Sequence, residues 1–180
     1  MSAHRFALAT SERARRLDPD LPLAVSAFER RGCVVDTLCW DDPVVAWSDY
    51  DLVIVGSCWD YTWRTEEFLA WAEQVPRLQN PADVLRWNAD KRYLADLDAL
   101  DCPVVPTSWN PEVEALPDAR EWVVKPSVSA GSRDTARWEH PADALRCQGP
   151  APSLGNQAAR PAVGYQELGE VVSTGSGDYP

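Results

Sequence analysis

The chain has 180 residues, of which 45% are hydrophobic and 25% are charged, and its formal net charge is −11. This composition indicates a globular protein with one ordinary domain or two small lobes, and it excludes a disordered chain. The acidic balance argues against nucleic acid or an anionic membrane surface as the main partner, and no segment approaches membrane-spanning length, so we expect a soluble cytoplasmic protein.

Strands and helices alternate over residues 1–80. Apolar runs predict strands at residues 5–10, 33–40 and 52–55, and the last run is continuous, as in a parallel strand that is buried on both faces. Helical periodicity predicts amphipathic helices at residues 21–31 and 65–75. This alternation predicts an N-terminal open α/β lobe over residues 1–80.

The character of the sequence changes from residue 81 onward. Residues 81–148 predict two helical stretches, a strand, the strand of "EWVVKP", a short β-like run at "TARW" and a helix at residues 141–147. Residues 149–180 are rich in Pro, Gly and Ala at first and are predicted to be mainly loop.

The strand of residues 121–125 ends at Lys125 and is followed by a loop of small residues. In that loop Gly131 lets the backbone approach a ligand closely, and consecutive N–H groups can form an anion-binding nest. A phosphate group would satisfy both the loop and the Lys125 ammonium. The alternative interpretation is an exposed hairpin loop with a lysine that extends into solvent.

Lys91 is predicted to lie in the first turn of a helix that Asn88 or Asp90 caps. A cation in a first turn opposes the helix dipole, so its presence favours an anion that shares the site. The alternative is an ion pair with Asp90 or Asp96. Metal binding through thiols is not expected, because the five cysteines have no C-x-x-C spacing and the chain has two histidines.

The order "LRWNADKRYLADLDALDCPVVPTSW" and then "EWVVKPSVSAGSRD" resembles the ATP-grasp superfamily, in the branch of glutathione synthetase-like carboxylate–amine ligases. The resemblance covers about residues 5–138. It implies an α/β protein in which an N-terminal open α/β (pre-ATP-grasp) lobe is followed by an incomplete α+β ATP-grasp lobe.

The resemblance also implies a chemistry and a set of site residues. ATP would be the cofactor, with Mg²⁺, and an unidentified small carboxylate would be activated as an acyl phosphate and joined to an amine. Lys91 would reach the ATP phosphates and Lys125 would lie beside the adenine and the α-phosphate. The mobile loop over the phosphates would contain Ser129, Gly131 and Ser132. A looser match predicts an adenine hinge and a ribose contact at Gln166, Glu167, Leu168 and Glu170, for which a solvated tail is the alternative.

The sequence departs from the ATP-grasp pattern in two places. Relatives continue past the hinge with the acidic and amide residues that hold magnesium, whereas this chain stops at Pro180, so we expect a shortened protein or a fragment without those ligands. The alternatives are a catalytically inactive nucleotide-binding module and a small α/β interaction domain, and an incomplete lobe would tend to associate through exposed apolar surface. Relatives also often carry an arginine at the position of Gly56, which leaves Asp60 and Tyr61 as polar groups at that strand end.

Overall fold

The computed structural model describes residues 3–109, 121–132 and 134–139, together with the backbone of residues 163–167. The chain divides into two compact units, Met1–Ala89 and Asp90–Pro180. The sequence predicted a first lobe over residues 1–80. The first unit extends to Ala89 because helix α4 (Ala82–Ala89) packs on helix α3 (Thr65–Gln74).

The first unit is built on a four-stranded parallel sheet in which β1 and β3 are the central strands. The three strands predicted from apolar runs are confirmed, and a short fourth strand joins them at the edge. The helix α1 was not predicted, and it begins where the Ser11 hydroxyl accepts a hydrogen bond from the Ala14 backbone N–H. In chain order the elements that precede α4 are β1 (Arg5–Thr10), α1 (Glu12–Leu17), α2 (Asp20–Glu29), β2 (Val34–Cys39), β3 (Leu52–Val55), α3 and β4 (Leu78–Gln79).

An aromatic cluster forms much of the core of this unit. The Trp40 ring meets Phe68 edge-on, with centroids 5.5 Å apart, and lies 6.0 Å from the Trp71 ring. Val53 of β3 is fully buried beside this cluster. The Trp40 indole N–H donates to Asp60 Oδ1 at 3.0 Å, so the polar edge of the ring is also satisfied.

The second unit carries an antiparallel four-stranded sheet and helix α5 (Tyr93–Asp98). In the sheet β8 lies between β5 and β6, and β7 forms the edge beside β6. The segment 149–180, predicted as loop and hinge, therefore contributes a central strand. The helix predicted at residues 141–147 lies outside the described residues. The strands are β5 (Thr107–Trp109), β6 (Trp122–Pro126), β7 (Ala136–Trp138) and β8 (Val163–Glu167).

Lys91 lies in the turn between α4 and α5, so its predicted position in the first turn of a helix is wrong. The Asp90 carboxylate accepts a hydrogen bond from the backbone N–H of Arg92 at 3.0 Å, and this local bond favours a turn over a continuous helix. Arg92 then precedes α5 as its N-terminal flanking residue. Within the described ranges, no helix combines the length and the apolar character that crossing a membrane requires.

Candidate nucleotide-binding site

Lys91 is bound to the loop that follows β6 through both its backbone and its side chain. Its backbone N–H donates to Ser127 O at 2.9 Å. Its ammonium lies 2.8 Å from Ser129 Oγ, 2.9 Å from Ser129 O, 3.2 Å from Pro126 O and 3.3 Å from Ser127 O. Two of the predicted site residues, Lys91 and Ser129, are therefore in direct contact.

The loop of residues 126–132 begins buried and ends exposed. Ser127 is fully buried, Ser129 is half-buried, and Gly131 and Ser132 are exposed. Gly131 and Ser132 have φ values of 61° and 55°, so consecutive residues adopt the left-handed conformation, which serine rarely takes. Gly131, which was expected to let the backbone approach a ligand closely, thus has a left-handed backbone conformation that favours glycine.

Lys91 and Lys125 are the two lysines of the whole chain, and the second unit contains both. Burial is the largest cause of the lowered pKa of Lys91, and the positive charge of Lys125 lowers it further. The Asp90 carboxylate raises the pKa of Lys91. Burial also lowers the pKa of Lys125, which is the residue before Pro126 at the end of β6. The Lys125 charge is therefore near enough to disfavour the charged form of Lys91, whereas the lowered pKa of Lys125 follows from burial.

The predicted alternative, an ion pair of Lys91 with Asp90, is not the arrangement in the structure. The Asp90 carboxylate instead pairs with Arg92, with Oδ2 2.7 Å from Nη2. Burial would raise the pKa of Asp90, but the hydrogen bonds from Arg92 outweigh burial and lower it. Ser127 lies near enough to contribute to that lowering, although its Oγ makes no hydrogen bond of ordinary geometry.

The predicted hinge falls partly within the described backbone. Gln166 pairs with Thr107 on one side and with Val123 on the other, and Glu167 pairs with Trp122. In the same ladder Gly164 is the partner of Lys125. The backbone thus brings the candidate residues Gln166 and Glu167 onto the strand next to Lys125, whereas Leu168 and Glu170 lie outside the described residues.

The first unit has a separate cavity of about 220 Å³ at the carboxyl end of β3. Ligands of open α/β sheets commonly bind outside the carboxyl ends of the strands. The Cys58 thiol in the wall donates to Ala9 O at 3.3 Å, and burial raises its pKa, so it is a neutral group. No charged side chain is among the described lining residues, which include Trp59, Asn80 and Asn88.

Asp60 has a structural role at this strand end. It accepts from the indole of Trp40, as described above, and its Oδ2 lies 3.4 Å from Nη1 of Arg64. Arg64 also pairs with Asp41 at 2.6 Å and with Glu67 at 2.8 Å, and it stacks over the Trp40 ring. Tyr61 packs against Phe68 of the core and also lines the cavity.

A buried polar cluster that the sequence analysis did not single out fixes the loop after β3. The Ser57 hydroxyl donates to the Asp18 carboxylate, and the Ser57 carbonyl accepts from the hydroxyls of Ser11 and Thr10 at 3.2 and 3.4 Å. These contacts join the ends of β1 and β3 and hold the residues that line the cavity. The sequence signal was a small polar residue within two positions of the end of each of these two strands, Ser11 after β1 and Ser57 after β3.

Gly56 makes a close backbone contact at the same strand end. Its N–H donates to Ala9 O at 2.8 Å, and a Cβ at Gly56 would lie 3.1 Å from that same oxygen. A side chain here requires the neighbouring backbone to move. An arginine at this position, as the resembled family often has, does not fit this local backbone without adjustment.

We expect Gly56→Arg to lower the free energy of unfolding by about 1–3 kcal/mol, the usual cost of overpacking. Urea unfolding followed by circular dichroism measures the change. Val44→Arg is the control, because Val44 is 85% exposed and accepts the same side chain without a clash. Equal midpoints for the two variants would show that the Ala9 contact does not restrict Gly56.

Magnesium ligands are not apparent in the part of the chain that the structure describes. No group of three or more His, Cys, Asp or Glu side chains there is arranged to hold a metal ion.

Known proteins resemble this chain in sequence. Residues 6–81 match the sequence family described as the N-terminal domain of D-cycloserine synthetase DcsG. The cycloserine biosynthesis protein DcsG of Streptomyces lavendulae is 37% identical over 148 residues, which are 74% of this chain and 50% of the relative. The chain thus spans about half the length of the curated relative that it matches.

Solved structures show the same similarity in three dimensions. The crystal structure of D-cycloserine synthetase DcsG superposes with a TM-score of 0.74 and 31% identity, over 91% of this chain and 59% of that one. D-alanyl-alanine synthetase A from Vibrio cholerae O1 biovar eltor superposes with a TM-score of 0.57 and 11% identity, over 93% of this chain and 60% of that one, and shows the fold alone. The α/β fold class is confirmed, and the chain is homologous to DcsG in a way that supports the ATP-grasp superfamily and a family of ATP-dependent ligases.

Proposed function

We propose that this chain binds ATP as part of an ATP-dependent ligase of the carboxylate–amine type, which acts through an acyl phosphate. The observation that carries the proposal is that the chain's two lysines lie near each other, at the loop that follows β6 in the second unit. The homology to DcsG, a synthetase, supports the reaction class.

The lysine pair is best explained by an anion. Burial disfavours the charge of both lysines, and the nearby positive charge of Lys125 lowers the pKa of Lys91 further. A polyphosphate beside them would supply negative charge and would accept charge-assisted hydrogen bonds. Groups whose pKa is perturbed by burial and by a like charge are frequent at functional sites.

The residues around the lysines have distinct roles in this proposal. Lys91 binds the phosphates, and Lys125 lies at the adenine and α-phosphate end, on the strand next to the one that carries Gln166 and Glu167. Ser129, Gly131 and Ser132 cover the β- and γ-phosphates and exclude water from them. ATP itself supplies the phosphoryl group that activates the carboxylate.

An uncharged part of the substrate is assigned to the first unit in this proposal, by analogy with the position of ligands in open α/β sheets. The cavity beside Gly56 has carboxamide and aromatic groups in its wall and no charged side chain among its described lining residues. It suits an uncharged part of the substrate, because a buried ion without a partner would be costly there. DcsG is named for cycloserine biosynthesis. By analogy, the substrate class to test is a small amino acid derivative whose nitrogen forms a new bond by cyclisation or condensation.

Two measurements test the proposed function. Titration calorimetry with ATP and Mg²⁺ should show saturable binding, and incubation with amino acids and amines should release ADP if the chain is a competent ligase. Binding without ADP release would contradict the ligase activity and leave a nucleotide-binding module. The absence of any binding heat at several temperatures would contradict the whole proposal and favour an α/β interaction domain.

A further inference from the structure

The ammonium group of Lys91 has no hydrogen-bonding capacity left for a ligand in the described arrangement. An ammonium group has three N–H donors. Four oxygen atoms of the 126–132 loop lie between 2.8 and 3.3 Å from Nζ. A phosphate oxygen can therefore accept a hydrogen bond from Lys91 only if at least one loop oxygen loses its contact with Nζ.

Ser129 is the residue that contributes most to this arrangement. It supplies the two shortest contacts, at 2.8 Å from Oγ and 2.9 Å from its carbonyl oxygen. Its hydroxyl also donates to Pro126 O at 3.2 Å. Because a hydroxyl has one proton to donate, that bond turns the oxygen lone pairs toward Lys91.

We propose that Ser129 is a positioning residue, which holds the Lys91 ammonium inside the loop when no nucleotide is bound. Phosphate binding exchanges these contacts, so the loop and the phosphate compete for one ammonium group. The competition rests on the proposed function, whereas the positioning of Lys91 by Ser129 does not. The sequence resemblance assigned Ser129 to the phosphates. This inference adds that Ser129 positions the Lys91 ammonium before phosphate binds.

Proton exchange at the Lys91 ammonium tests the positioning directly. With [¹⁵N]lysine labelling the chain gives two ammonium signals, which Lys91→Arg assigns. Ser129→Ala is expected to increase the rate at which the Lys91 ammonium protons exchange with water about tenfold. This factor corresponds to the loss of one hydrogen bond of ordinary net strength. Ser129→Thr keeps the hydroxyl and should restore slow exchange. Unchanged exchange in Ser129→Ala, with the protein folded by circular dichroism, would overturn the inference.

Affinity for inorganic triphosphate tests the competition. Ser129→Ala should bind triphosphate roughly threefold to tenfold more tightly than wild type, because the loop then competes less well for Lys91. Weaker binding by Ser129→Ala would mean that Ser129 contacts phosphate directly and would overturn the competition. If no variant binds triphosphate, the proposed function and the competition both fail, while the exchange measurement still decides whether Ser129 positions Lys91.

Discussion

Lys125→Met is expected to weaken ATP binding roughly 10- to 100-fold, the usual effect of losing one charge-assisted hydrogen bond in a partly buried site. Lys125 is half-buried near the end of β6, and burial lowers its pKa and so disfavours its charge. Methionine keeps the length and the apolar stem of the side chain. The fold should therefore persist, with a change in unfolding free energy of about 1 kcal/mol or less. Calorimetry measures the affinity and urea unfolding measures the stability.

Arg137→Met is the matched control for this experiment. Arg137 lies on β7, in the same sheet, and its guanidinium is exposed and pairs with Glu121. The variant removes one positive charge from the same unit, so it has the same effect on net charge as Lys125→Met. ATP affinity should change by about twofold at most, as for a screened surface charge. Equal losses in both variants would mean that ATP responds to overall charge and not to Lys125.

Trp40→Ala is expected to lower the unfolding free energy of the first unit by about 3–5 kcal/mol. Trp40 is 2% exposed, and its ring contacts Phe68, Trp71 and the guanidinium of Arg64. Its removal leaves a large cavity and takes away the hydrogen-bond partner of Asp60. Urea unfolding followed by far-ultraviolet circular dichroism measures the loss.

Trp63→Ala provides the comparison for the core substitution. Trp63 is 54% exposed, so the same change of residue type should cost about 1 kcal/mol or less. If Trp40→Ala is too unstable to purify, Trp40→Phe retains most of the ring packing and should be measurably less stable than wild type. A Trp40→Phe variant as stable as wild type, together with a costly Trp63→Ala, would contradict the assigned core.

The first unit could be predicted well because its signals are local. The runs that became β1, β2 and β3 are rich in apolar residues, and the run of β3 is continuous. The short helix α1 was missed because Glu12–Leu17 has three arginines and little apolar periodicity. Its formation depends on the cap at Ser11, which also belongs to the buried contacts of Ser57.

The second unit was predicted less completely because its sheet depends on pairing between distant segments. The strand β8 is placed between β5 and β6 by ladders that join residues 107–109 and 122–126 to residues 163–167. No local pattern in "VGYQE" indicates a central position. The turn at Asp90 was also missed, since it is favoured by a local bond from the Arg92 backbone N–H to the Asp90 side chain, which apolar periodicity does not indicate.

For the site, the sequence indicated the two lysines and the small-residue loop but not the contact between them. The resemblance assigned both lysines to phosphate, and the structure adds that Lys91 is saturated by loop oxygens. That arrangement depends on the fold, because Lys91 and Ser129 are far apart in sequence. The roles of these residues toward ATP remain predictions.

The pKa of each lysine, followed with and without ATP, tests the central claim most directly. Selective [¹³C]lysine labelling gives two Cε signals, and both should titrate below the ordinary lysine value of about 10.4 in the free protein. A bound polyphosphate favours the charged amines, so saturating ATP should raise both midpoints, and by linkage ATP affinity should fall as the pH rises through the free-protein values. Midpoints at the ordinary value in the free protein, or midpoints that ATP leaves unchanged, would contradict a shared phosphate site at Lys91 and Lys125.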